Sequence, residues 1–307
     1  MIINISDVWE DARAQHVYFL NEIIDRGIER LGRSALHRKT SKFIKNNKDL
    51  ILSGAPEELQ LSIDEFNEIF SAKEKPKAVE IFRSIFDYED FSKKNTTAWG
   101  AYKLCKAAKY KTCCYCHLVE IGTSLPNEET RGYRPPIDHY YAKSQYPFLS
   151  LTLNNFVLCC EKCNGPQMKW QIDFSEEKHL NPLVNNESIE FVLECNDPNE
   201  QSIAEIMGLK LSKDKYRLNL KITENIELSK ASINTFQLVD RYQNYAGQAF
   251  HLAKKMKGLS SRLRMLDDAL DVDISINDIL EFEPENYKSI PYGKARLCIA
   301  NQFGNAN

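Results

Sequence analysis

Two Cys-x-x-Cys pairs, Cys113/Cys116 and Cys160/Cys163, enclose a stretch that carries Asp138, His139 and Asn155, and Asn164 directly follows the second pair. A two-residue spacer lets both sulfurs of a pair meet one ion, and four thiolates complete the closed tetrahedral sphere that zinc prefers. Cys114 and Cys159 each adjoin one of these residues but lack a partner at that spacing, so they are not expected to be ligands. An iron–sulfur cluster is the competing occupant, since thiolates alone do not exclude it. His117 could also compete, although the four-cysteine set is complete without it. The enclosed residues have a different chemistry. A carboxylate is a hard-cation ligand, and an imidazole titrates near neutrality and can take a proton from water. The pattern predicts a soft-metal brace closing a loop that presents a reactive group.

The elements that position these groups follow from local pattern. Residues 137–144 read as an extended segment, and residues 155–160 (NFVLCC) as a short apolar strand. Gly165 and Pro166 are expected to open a helix, because proline tolerates the first helical position. Neighbouring strand residues face opposite sides, so Asp138 and His139 need a local twist to share one direction. Upstream, apolar residues recur at helical spacing at Val17, Leu20, Ile24, Ile28 and Leu31, with Ser6 or Asp7 as the candidate cap. Further helices are expected after Pro56 (Leu59, Ile63, Phe66, Phe70), from Pro76 (Val79, Phe82, Phe86) and from Thr97 to Tyr110. Downstream, a turn at His179–Leu183 precedes a strand over Ser188–Glu194, with Ile189, Phe191 and Leu193 alternating. A long helix from Lys230 to Lys257 is expected to end at Gly258, and Ser275–Asn307 to hold short helices and a loose tail.

Composition narrows the class. Apolar residues make up 43% and charged residues 27%, the balance of an ordinary globular chain, and 307 residues suffice for two domains or one elaborated core. No signal peptide and no bilayer-length apolar run is visible, and nine clustered cysteines suit metal binding in a reducing compartment, so a cytoplasmic protein without membrane contact is expected. The net charge of −3 conceals an uneven distribution: residues 101–170 hold nine Lys/Arg against five Asp/Glu. A locally basic segment around the candidate site suits a polyanion, though a solvated surface would read the same. Further basic runs lie at Arg38–Lys48 and Lys254–Arg264.

The segment Cys113-x-x-Cys116, Asp138, His139, Asn155, Cys160-x-x-Cys163, Asn164 and Lys169 resembles the HNH endonuclease motif, the ββα-metal fold, in its zinc-braced form. The resemblance implies that His139 is the general base, that Asp138 and Asn164 hold one catalytic Mg²⁺ or Mn²⁺, and that Asn155 restrains the loop orienting His139. It implies a structural Zn²⁺ on Cys113, Cys116, Cys160 and Cys163. Two departures stand out. Ala142 occupies a position where the family often has proline, and Asn164 one where it often has histidine; asparagine still offers a neutral oxygen that Mg²⁺ accepts.

The expected fold is α+β and predominantly α-helical, a central ββα-metal motif flanked by helical regions, with domains at residues 1–96, 97–185 and 186–307. The layout, including Leu180-Asn-Pro182 and the run from Ala231 to Leu238 leading into Arg241, resembles the HNH nucleases of bacterial Septu and retron antiphage systems. That resemblance implies a partner ATPase, and a retron reverse transcriptase with its nucleic acid in some systems. The activity this implies is hydrolysis of nucleic-acid phosphodiesters, with DNA favoured over RNA and the choice left open by the sequence. The alternatives are a zinc-stabilised nucleic-acid-binding adaptor without catalysis, or an interaction subunit whose site is vestigial. Asp138 and His139 discriminate, since a pure zinc knuckle needs neither.

Overall fold

Amphipathic periodicity makes the first hundred residues a series of short helices, α1 Arg13–Glu29, α2 Ala35–Asn46, α3 Lys48–Ser53, α4 Leu59–Ile69, α5 Lys75–Ile85, α6 Tyr88–Ser92 and α7 Ala101–Ala107. The structure, a computed structural model, describes residues 2–95, 97–195, 203–270 and 275–304, with backbone only over 203–204 and 259–270. The fold is α+β: with the helices stand two small antiparallel sheets, β1 Ile137–His139 with β2 Phe156–Leu158, and β3 Ile189–Cys195 with β4 Tyr216–Ile222. The chain forms two compact units, one of Asn4–Cys114 and Ile121–Asn185, the other of Met1–Ile3, Tyr115–Glu120 and Asn186–Asn307. Among the described residues no helix is long and apolar enough to cross a membrane.

In the first unit, an aromatic cluster organises the helices. Phe43 of α2, Phe66 of α4 and Phe82 of α5 meet Phe148, with centroids from 4.9 Å for Phe43–Phe148 to 5.4 Å for Phe82–Phe148, and Phe70, just past the end of α4, packs on Phe43 at 5.9 Å. Phe148 belongs to the loop after β1, so the helical scaffold fixes that loop. The predicted stripe of α4 is buried throughout, at Leu59, Ile63, Phe66 and Phe70. The stripe of α1 is displaced: Leu20 and Ile24 are buried as expected, but His16 and Gly27 complete it, whereas Val17, Ile28 and Leu31 are half-buried. A Cβ at Gly27 would stand 2.4 Å from Ile85 Cγ2, so only glycine allows α1 and α5 this approach.

Several boundaries differ from the sequence expectation. Neither Ser6 nor Asp7 caps α1. Ser6 bonds Asn4 instead, and Asp7 accepts from Tyr110 Oη at 2.8 Å and Lys109 Nζ at 2.5 Å. Lys109 N also donates to Val8 O at 3.0 Å, and this docking leaves the chain extended from Ala108, so α7 is shorter than the predicted Thr97–Tyr110 helix. Pro56 lies in the turn preceding α4, closed by Glu58 Oε2 accepting from Ala55 N.

His16 occupies a fully buried place. Its Nε2–H donates to Leu151 O at 2.7 Å, and the Trp99 indole donates to its Nδ1 at 3.2 Å. Both nitrogens are thereby committed to the neutral ring, and burial lowers its pKa to about 4. Because the folded value lies below the unfolded one near 6.5, this histidine's contribution is fully present above about pH 6.5 and is lost as pH falls towards 4. His16→Gln is expected to flatten the loss of unfolding free energy between pH 6.5 and 4 by on the order of 3 kcal/mol. Urea titrations across that range measure it, and an unchanged slope would refute the assignment.

In the second unit, the strand predicted over Ser188–Glu194 appears as β3, paired from Ile189↔Ile222 to Cys195↔Tyr216 with alternate residues buried. After α8 (Ile203–Met207) and β4, the predicted Lys230–Lys257 helix is replaced by α9 Ile226–Thr235, α10 Leu238–Gln243 and α11 Ala246–Leu270. Gln237 adopts φ 49°, the left-handed conformation that stops a helix, and Phe236 turns in to stack on Tyr115 at 4.4 Å. Gly258 does not end α11. Glycine inside a helix costs about 1 kcal/mol relative to alanine, which a packed helix tolerates. After α12 (Ile276–Leu280), the short helices expected beyond Ser275 continue with α13 (Gly293–Gly304), whose Gln302 carboxamide bonds both N and O of Leu193 on β3. Residues 305–307 lie outside the described residues.

Candidate functional site

The Sγ atoms of Cys113, Cys116, Cys160 and Cys163 all lie within 4.8 Å of one another, and all four residues are buried. Four buried thiols this close could hold a metal such as zinc. The geometry selects the same four that the spacer selects. Cys114 is directed elsewhere, its Sγ 3.5 Å from Leu158 O, and burial pushes the Cys159 thiol well up, with the Asp138 charge adding to the effect. Both are buried thiols outside the cluster. Backbone contacts hold the two knuckles: Tyr242 Oη donates to Cys116 O at 2.7 Å, Asn164 N to Cys160 O at 3.1 Å, and Lys169 N to Cys163 O at 3.2 Å.

β1 and β2 pair antiparallel in the register Ile137↔Leu158, Asp138↔Val157 and His139↔Phe156. The extended segment is shorter than predicted, ending at His139. Asn155, fully buried, closes the loop that follows. Its Oδ1 accepts from Tyr141 N at 2.8 Å, while Nδ2 donates to Tyr141 O at 3.1 Å and Leu149 O at 3.0 Å. One residue further, Ser150 O accepts from His139 Nε2–H at 2.9 Å, and Ser150 Oγ donates to Phe86 O at 2.6 Å. A carbonyl can only accept, so this contact sets the tautomer: Nε2 carries the hydrogen and Nδ1 keeps its lone pair. Tyr88 and Phe156 pack edge-on against the imidazole at 4.6 and 5.2 Å. Burial lowers the His139 pKa to about 3; the Ser150 carbonyl opposes this and the charges of Lys143 and Lys169 add to it. The ring is neutral at physiological pH.

Asp138 is buried and paired with an equally buried Lys169, whose Nζ lies 3.0 Å from Asp138 Oδ1 and donates to His139 O at 2.8 Å. The ammonium also faces the Phe174 ring at 4.6 Å. Asp138, His139, Asn164 and Lys169 line one cleft of about 360 Å³, together with Ala142, Lys143, Ser144 and Trp170. Asp138 and His139, adjacent on a strand, therefore reach the same cleft, the twist being allowed because β1 stops at His139. Asp138 and Asn164 bring a carboxylate and a carboxamide to it, the hard oxygen donors a divalent cation such as Mg²⁺ takes.

One predicted element is absent here. Residues 161–171 form consecutive hydrogen-bonded turns rather than a helix from Gly165 and Pro166, with Met168 N bonding Gly165 O and Ile172 N bonding Lys169 O. Trp170 at φ 40° breaks any continuing helix. The arrangement around the site is two strands followed by turns.

The buried pair predicts its own effect. Removing one partner of a buried ion pair leaves a charge without compensation, at a cost of roughly 3–5 kcal/mol. Lys169→Met is expected to lose stability on that scale, and adding Asp138→Asn to recover most of it. Chemical denaturation of the two variants and the double variant measures the coupling; simple additivity would show that the pair does not exist.

Sequence reasoning did not find Ser150, Tyr88 or Trp170, and it read Phe86 only as a core position of its helix. Ser150 and Phe86 act through backbone carbonyls, which leave no signature in residue type. The run at Arg38–Lys48 is partly neutralised, Lys39 pairing with Glu74 at 2.8 Å and Lys48 with Asp25 at 2.6 Å; in the second run Lys257 Nζ donates to Met207 O and keeps its charge. The side chains of Arg262 and Arg264 lie outside the described residues. Comparison with protein-family models, with curated proteins and with solved structures returns no match for this chain.

Proposed function

We propose that this chain is a metal-dependent endonuclease of the HNH type, hydrolysing nucleic-acid phosphodiesters, with Zn²⁺ on the four cysteines as a structural brace. The observation that carries the reading is the His139 contact. Its Nε2–H is spent on Ser150 O, in a loop that Asn155 clamps, which leaves Nδ1 as a proton acceptor beside the cleft that Asp138 and Asn164 line. A zinc knuckle alone needs no such device. In this reading, Nδ1 of His139 takes the proton of the attacking water, and the carbonyl of Ser150 stabilises the imidazolium that forms. Asn155 and the Phe148 cluster hold the loop still while this happens. Asp138 and Asn164 would hold Mg²⁺ or Mn²⁺, which would supply charge stabilisation at the leaving oxygen. Lys169 Nζ, 3.0 Å from Asp138 Oδ1, compensates the carboxylate charge and holds it at the cleft wall.

The test is a cleavage assay on DNA and RNA with Mg²⁺, Mn²⁺ and chelator, using His139→Ala as control. Metal-dependent cutting lost in the control supports the reading. Tight nucleic-acid binding without cutting would instead favour the adaptor. The proposed setting, an antiphage complex with an ATPase, rests on the sequence resemblance, and co-purification of the two chains is its test.

A further inference from the structure

Trp170 sits at an unfavourable place for its residue type. It follows Lys169 in a turn closed by Ile172 N to Lys169 O, and its φ of 40° is a conformation in which glycine or asparagine is the favourable choice. The side chain does not repay this by packing, since it is 56% exposed, whereas Trp9 is buried and Trp99 is half-buried with its indole bonded to His16. It nevertheless lines the same cleft as Asp138, His139 and Asn164. A strained backbone that aims a large ring at solvent beside reactive groups is an observation from which function is argued.

We infer that Trp170 is a stacking platform for an unpaired base next to the scissile phosphodiester, so that the substrate is single-stranded or locally opened nucleic acid. The inference rests on the nuclease reading above and adds the substrate class. An indole face attracts any base, because every base has a π-face. In a duplex both faces of each base are covered by its neighbours, and freeing one costs more than a single stack returns. A tryptophan at the cleft therefore discriminates against intact duplex. Lys143 lines the same cleft with its side chain 40% exposed and shares a 3.5 Å ion pair with Glu89, whereas the Lys169 charge is compensated by Asp138.

The experiment uses the full chain carrying His139→Ala, so that binding is read without cleavage. Fluorescein-labelled single strands and duplexes of one sequence are titrated by anisotropy into the parent, Trp170→Gly and Trp170→Phe. Glycine relieves the positive φ, so Trp170→Gly keeps its fold and its thermal midpoint separates folding from recognition. The expected result is a loss of single-strand affinity of roughly 5- to 150-fold in Trp170→Gly, as one base–aromatic stack predicts, with duplex affinity nearly unchanged and Trp170→Phe largely restored. Tryptophan emission should fall on adding unlabelled single strand to the parent, and much less with Trp170→Gly. Equal single-strand affinity in all three overturns the inference and leaves the nuclease reading standing, with the exposed ring then a protein-contact residue. An equal loss for single strand and duplex also overturns it. A parent that binds neither nucleic acid overturns the nuclease reading and the inference together.

Discussion

Cys163→Ser is expected to lose its zinc and with it the fold around the candidate site. The wild-type chain should carry about one zinc, since Cys113, Cys116, Cys160 and Cys163 bring four sulfurs within 4.8 Å of one another. Structural zinc contributes folding free energy on the order of 10 kcal/mol in small modules, comparable to the whole stability of a typical domain. The consequences extend to the cleft, because Lys169 N is held by Cys163 O and Asn164 N by Cys160 O. A chain without the brace should therefore also lose the Asp138–Lys169 pair. Cys114→Ala and Cys159→Ala should keep full zinc, since neither sulfur belongs to the cluster. Elemental analysis gives the metal content, and limited proteolysis of residues 113–185 gives the loss of order. Undiminished zinc in Cys163→Ser would refute the ligand assignment.

His139→Ala should lower cleavage by roughly 10²–10⁴, the usual worth of a general base, while zinc content stays at the wild-type level. The substitution is not silent for stability. The imidazole is buried against Tyr88 and Phe156, so the truncation leaves a cavity and should cost roughly 1–3 kcal/mol. The comparison that isolates chemistry is therefore His139→Ala against Phe148→Ala, a variant expected to lose at least as much stability through the aromatic cluster without removing the base. If the two lose activity in proportion to stability, His139 is structural. Asp138→Asn, which keeps the shape and removes the charge, should raise the Mg²⁺ concentration needed for half-maximal rate. Cutting by His139→Ala at the wild-type rate would end the HNH mechanism for this chain.

Much of this was legible before any coordinate. Cys-x-x-Cys spacing is a local constraint, satisfied by any backbone that lets two sulfurs reach one ion, so the four-cysteine set could be read directly from the chain. The α4 stripe and the alternation of β3 were legible for the same reason, since burial on one face imposes a period on neighbouring residues. What the sequence could not determine is everything that depends on distant partners. Asp7 reads as a helix cap until Tyr110 and Lys109 claim its carboxylate, and Gly258 reads as a stop until α11 continues through it. The turns after Asn164 replace a helix because Lys169 folds back to reach Asp138 and His139 O. The tautomer of His139 is decided by a carbonyl eleven residues away, at Ser150, itself held by Phe86 and by the cluster around Phe148. A residue's type and spacing define which chemistry it can perform; which of its atoms remain able to perform it is settled only by the groups that tertiary folding places against it.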